Sequence, residues 1–75
     1  MALDKNAFLR RFEVIVELAP GSLNGDELLE AVQGWDSLAV LGIQALADSE
    51  LQTTFDVAAL EHLRTVADIY TLLTS

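Results

Sequence analysis

Cysteine is absent from the 75-residue sequence. Its absence excludes disulfide cross-links, a thiolate nucleophile on the chain and any Cys-based metal site. Basic residues are scarce: four Lys and Arg stand against twelve Asp and Glu, for a net charge of −8. Lys5, Arg10 and Arg11 all fall near the start, and beyond them only Arg64 faces the remaining carboxylates. Such a surface repels phosphate backbones, so no nucleic-acid partner is expected. No apolar run approaches the ~18 residues that a membrane-spanning helix requires. The first residues, Met1 to Asn6, lack the basic-then-apolar order of a signal peptide. A soluble, cytoplasmic protein without a membrane span is the expectation.

What is present is an apolar fraction of 52%. That is enough for one small core, and residues 1–75 are read as a single domain. A chain of this size buries only ~60% of the surface that its unfolded form exposes, so modest stability is expected. The excess of carboxylates draws partners with basic patches, or simply keeps a small protein soluble.

The spacing predicts an all-α fold. Residues 4–19 read as a first helix, with Asp4 as its N-cap and Phe8, Phe12, Ile15 and Ala19 at helical intervals. Pro20-Gly21 is read as its stop. A long connection over residues 22–35 comes next, in which Leu28, Leu29 and Val32 call for burial, through a single helical turn. A second helix is predicted from Asp36-Ser37 to Glu50 or Leu51. It carries two apolar seams: Val40, Ile43, Ala47 and Leu51 form one, and Leu38, Leu41 and Ala45 the other. At helical spacing they lie on roughly opposite sides, and a helix in a small bundle buries one wide stripe. The Leu38 seam is therefore expected to be exposed, as a docking surface or a route to weak self-association. Asp56 caps a short helix reaching about Leu63, and Thr65 caps a last helix with Val66, Ile69, Tyr70, Leu72 and Leu73. The predicted architecture is a bundle of three main helices plus one short helix, with a long loop between the first two.

One segment carries chemistry: Gly34-Trp35-Asp36-Ser37-Leu38. It places a serine at a helix N-terminus, directly after the long loop. Unpaired backbone N–H groups and the positive end of the helix dipole favour a phosphate attached there. Asp36 caps the helix and presents an acid to a basic partner. Leu38 sits one residue on, where a partner can grip it.

Asp36-Ser37-Leu38 resembles the Asp-Ser-Leu signature of acyl carrier proteins, and Trp35 extends it to the Trp-Asp-Ser-Leu form of many freestanding carriers. The resemblance covers the whole chain: the stop at Pro20-Gly21, the loop ending at Gly34, Phe55-Asp56 before a short helix, and Arg64-Thr65-Val66 opening the last one. It implies that a phosphopantetheinyl transferase, using coenzyme A and magnesium, attaches 4'-phosphopantetheine to Ser37. The thiol of that arm then holds an acyl cargo as a thioester. The resemblance further implies a monomer that is not itself an enzyme and that visits acyl-activating, acyltransferase or synthase partners. By spacing from Ser37, Asp36 and Asp48 keep acidic docking positions of the second helix, beside Leu38, Leu41 and Ala45. Ala39, Gly42 and Ser49 stand where acids are common in carriers of fatty acid biosynthesis. That departure points away from bulk fatty acid synthesis and towards a specialised lipid, polyketide or surface-glycan pathway. An aminoacyl or peptidyl carrier uses the same arm, and an unmodified helical adaptor is the rival from another class.

Other residues have plainer readings beside the sharp ones. A serine at Ser37 ordinarily serves only as an N-terminal helix residue. No G-x-S-x-G surrounds it, and His62, the one histidine, is read as a surface or packing residue. Trp35 is read as packing over the core rather than as a binding platform. Asp26, Glu27 and Glu30 lack calcium-loop spacing and read as a solvated face. Gly42 is either a close-approach point for the arm or a partner, or a tolerated surface glycine. Ala45, Ala47, Ala58 and Ala59 either leave room for cargo or allow tight packing.

Overall fold

The computed structural model describes residues 3–74. Three α-helices, α1 (Lys5–Ile15), α2 (Ser37–Glu50) and α3 (Val66–Thr74), pack with two 3-10 segments, Leu29–Ala31 and Val57–His62. No strand occurs among the described residues, and no described helix is long and apolar enough to cross a membrane.

Helix α1 begins where its cap predicts: the Ala7 N–H donates to Asp4 Oδ1 at 2.7 Å. Phe8, Leu9 and Phe12 form its buried face. Its end differs from the sequence reading, four residues before Ala19. Val16 caps the helix, and Glu17 turns left-handed at φ 63°. The Leu18 N–H then donates to Glu13 O at 2.8 Å, and the Glu17 N–H to Val14 O at 3.2 Å. These two bonds close a Schellman turn, which satisfies the last carbonyls of the helix before Pro20 is reached. Ala19, read as part of the apolar stripe, is exposed.

One carboxylate organises the departure of the long loop from α1. Glu13 is 1% exposed, the one buried charged residue among those described. Its Oε1 accepts the Gly21 N–H at 3.1 Å, its Oε2 accepts the Leu23 N–H at 2.8 Å, and Arg10 forks onto both oxygens. Arg10 also donates to the Leu23 carbonyl at 3.0 Å. A buried charge is tolerable only when its lone pairs are occupied in this way.

The loop is then stitched to the start of α3. Leu29 N–H donates to Arg64 O at 2.8 Å, Val66 N–H to Glu27 O at 3.1 Å, and Ala67 N–H to Gly25 O at 2.9 Å. Leu29 and Val32 are buried as predicted, but Leu28 is 46% exposed. Leu28 is extended and bridges Thr65, whereas Leu29 opens the 3-10 turn, so the two side chains leave the chain in different directions. Burying Leu29 therefore turns Leu28 outward. Glu27, read as part of a solvated face, is half-buried and accepts the N–H groups of Asn24 and Gly25, each at 2.9 Å.

Helix α2 buries Ala39, Ile43, Leu46 and Ala47. Leu38, Leu41 and Ala45 are exposed, as the two-seam pattern predicts. Gly42 supports neither of its sequence readings. A Cβ there would lie 2.9 Å from Ile15 Cγ2, so the missing side chain lets α1 approach α2. Arg11 and Glu50 pair across the same two helices. The short helix at Val57–His62 is 3-10 rather than α, with Ala58 N–H on Asp56 Oδ1 at 3.0 Å. Thr65 caps α3 together with Asp68. Asp68 N–H donates to Thr65 Oγ1 at 3.3 Å while Thr65 N–H donates to Asp68 Oδ2 at 3.0 Å, a reciprocal capping box. Tyr70 Oη donates to the Leu3 carbonyl at 2.9 Å, which ties the start of the chain to α3.

Two of these contacts set measurable stabilities. Burial alone would push the Glu13 carboxyl up. The N–H groups of Leu23 and Gly21 and the Arg10 guanidinium outweigh it and hold the carboxyl below its ordinary value of 4.5. Because the folded-state value is depressed, this stabilisation is present above 4.5 and is lost as pH falls through the folded value. Glu13→Gln keeps the shape but loses charge-assisted bonds; urea titration at neutral pH should show a loss of about 2 kcal/mol, with a shallower acid limb. Glu17→Gly relieves the left-handed conformation and should gain about 1 kcal/mol, raising the calorimetric Tm by roughly 4–8 °C.

Candidate functional site

The end of the long loop is set against α1 by two residues. Gly34 adopts φ +90°, and a Cβ there would lie 2.6 Å from the Val16 carbonyl oxygen. Only glycine permits both the conformation and the approach. Trp35 comes next, half-buried, with its ring centroid 5.6 Å from that of Phe12. Trp35 therefore packs over the core, in agreement with the packing reading. Phe12 stands 5.9 Å from Phe8, and Phe8 stands 5.4 Å from Tyr70. An aromatic line thus runs from α3 through α1 to the residue before Asp36.

Asp36 then starts α2. Its backbone is extended, its Oδ1 accepts the Ala39 N–H at 3.0 Å, and its carbonyl accepts the Val40 N–H at 3.1 Å. Ser37 is the first helical residue and is exposed. The N–H groups of Ser37 and Leu38 have no partner among the described residues, as the first turn of a helix dictates. A hydroxyl in solvent, beside two outward N–H donors and the positive end of a 14-residue helix, suits a covalently attached phosphate. The residues present therefore fit a phosphate-linked arm at Ser37 Oγ.

The residues singled out around Ser37 form one surface. Leu38 is 75% exposed and Leu41 60% exposed, and Ala45 and Asp48 are exposed as well. At 3.6 residues per turn these four lie within about 80° of one another around α2, opposite its buried face. Asp36 caps the same end. A cleft of about 270 Å³ opens at the start of α2, with Asp36, Leu38 and Ala39 on one side and Val14, Ile15 and Glu17 on the other; Ser37 itself does not line it. The α1 wall was not foreseen from the sequence. The available signal was Val14 itself, a large apolar side chain off the helical stripe of Phe8, Phe12 and Ile15.

His62 lies exposed on the second 3-10 segment. No group of three His, Asp or Glu side chains placed to hold a metal occurs among the described residues. No family model, curated protein or solved structure matches the chain.

Gly34 and Gly21 separate conformation from contact. Both have positive φ, but a Cβ at Gly21 would meet nothing within 4 Å. Gly21→Ala should cost about 1 kcal/mol, and Gly34→Ala at least twice that because it also displaces the Val16 carbonyl. Chemical denaturation of the two variants side by side checks the difference. Equal losses would remove the Val16 contact as the reason for glycine at position 34.

Proposed function

We propose that the chain is an acyl carrier protein whose Ser37 bears 4'-phosphopantetheine. The observation that carries this reading is the setting of Ser37: an exposed hydroxyl at the first position of α2, within Trp35-Asp36-Ser37-Leu38, flanked by an exposed apolar stripe. The helical bundle and its long pinned loop are compatible with such a carrier, and the resemblance of the motif supplies the function.

The arm, when attached, supplies the thiol that holds an acyl group as a thioester. The chain's own residues do the rest. Gly34 and Trp35 fix the end of the loop, Asp36 orders the first turn of α2, and Ser37 presents its Oγ to a phosphopantetheinyl transferase. Transfer joins Oγ to the phosphopantetheine phosphate of coenzyme A, with adenosine 3',5'-bisphosphate as the leaving group. Asp36, Leu38, Leu41, Ala45 and Asp48 form the docking surface for the transferase and for acyl-activating, acyltransferase or synthase partners. The tether keeps cargo at high local concentration beside whichever enzyme is docked.

The α2 surface favours a specialised lipid, polyketide or surface-glycan pathway over bulk fatty acid biosynthesis. Its exposed side carries Leu38, Leu41 and Ala45 with only Asp48 among them. A docking face of that composition grips through apolar contact more than through charge.

Incubation with coenzyme A, magnesium and a broad-specificity phosphopantetheinyl transferase tests the assignment by intact mass. The wild type should gain one phosphopantetheine, and Ser37→Ala should gain none. A wild type left unmodified by several active transferases would sink the reading.

A further inference from the structure

The cleft between the end of α1 and the start of α2 has two walls, and its lining includes Asp36 and Leu38, the neighbours of Ser37 in sequence. One wall is the end of α1. Val14 there is 73% exposed, matching Leu38 across the cleft at 75%. Two large aliphatic side chains held in water on facing helices form an apolar surface that the fold does not use.

Glu17 stands at the same end. Its backbone is left-handed, where glycine is cheaper, and its carboxylate sits at the negative end of the α1 dipole. Its side chain makes no hydrogen bond or ion pair with the described residues. None of the four basic residues lines the cleft. Arg10 and Arg11 are held by Glu13 and Glu50, and Lys5 lies beside Gly25. The cleft therefore has a mixed lining, in which Val14 and Leu38 stand with the carboxylates of Glu17 and Asp36, and it has no cation of its own. A second copy of the chain would bring like charges together, at −8 per chain. The complement is a cationic segment with an apolar side chain at its centre.

Resting on the carrier reading, we propose that Val14 and Glu17 on α1 form a second docking wall, which with Leu38 and Asp36 receives a basic, apolar-centred segment of the transferase that modifies Ser37. Docking then spans two helices. Leu38 and Val14 close on one apolar side chain, and Glu17 and Asp36 meet lysine or arginine on either side of it. The α1 wall adds affinity for the transferase, and its loss reads out in KM.

The test measures initial rates of Ser37 modification against concentration of the full chain, with a broad-specificity transferase, coenzyme A and magnesium. Val14→Asp and Glu17→Lys are compared with wild type and with Glu61→Lys. Glu61 is exposed on the second 3-10 segment, so Glu61→Lys matches the charge change of Glu17→Lys away from the cleft. Circular dichroism melts establish that each variant is folded. Val14→Asp and Glu17→Lys should each raise KM about tenfold with kcat within about twofold of wild type, while Glu61→Lys stays near wild type. Added salt should raise KM more for wild type than for Glu17→Lys. Wild-type KM in both cleft variants, with the wild type modified normally, would overturn the α1 wall and leave the carrier reading standing. An equal rise in Glu61→Lys would assign the effect to net charge and overturn the wall as well. A wild type that takes no phosphopantetheine from any active transferase would overturn both.

Discussion

Everything around Ser37 depends on one close approach, that of the Gly34 backbone to the Val16 carbonyl at the end of α1. A Cβ would hold the two segments apart. Without it the long loop returns to the helix it left, and Trp35 can lie against Phe12. Once Trp35 is set, Asp36 and Ser37 take a fixed place over the core. The serine thus follows directly on a packed corner, although it stands in solvent. Glu13 does the corresponding work where the loop departs, by holding the N–H groups of Gly21 and Leu23. A small core can fix so long a connection because Glu13 anchors its start, the Gly34 approach and the Trp35 ring anchor its end, and backbone bonds to α3 secure its middle.

The division of labour on α2 has the same economy. Ala39, Ile43, Leu46 and Ala47 face inward, and Gly42 and Ile15 let α1 come close. The opposite side is then free to carry Leu38, Leu41 and Ala45 without harm to the core. Exposed leucines lose the stabilisation that burial would bring, typically ~1.5–3 kcal/mol for a full side chain. Their place beside the candidate attachment serine is consistent with a surface kept for partners.

Much of this fold was legible in the sequence where a polar cap meets an apolar period. Asp4, Asp36 and Asp56 each precede an apolar run and each caps the segment after it. The two seams of α2 separate cleanly because a helical period assigns each residue an angle. The end of α1 was not legible, because glutamate gives no sign of a left-handed turn and Pro20-Gly21 offers a plausible stop further on. Glu13 looks like any surface acid on a helix, and its burial depends on a loop that returns from eight and ten residues away. Leu28 looks like core, and only the pairing with Thr65 decides which of Leu28 and Leu29 turns inward. The α2 half of the cleft came from the motif, whereas Val14 and Glu17 joined it only through the crossing of α1 and α2, which no local pattern encodes.

If Ser37 is held out for a covalent arm, the protein isolated from the cells that make it should carry that arm. The most direct test is its intact mass, with fragmentation of the peptide that contains Ser37. One 4'-phosphopantetheine on Ser37 is the expected result, part of it bearing thioester-linked cargo that hydroxylamine releases. A Ser37 peptide that is unmodified throughout, from cells in which phosphopantetheinyl transferase is active, would contradict it.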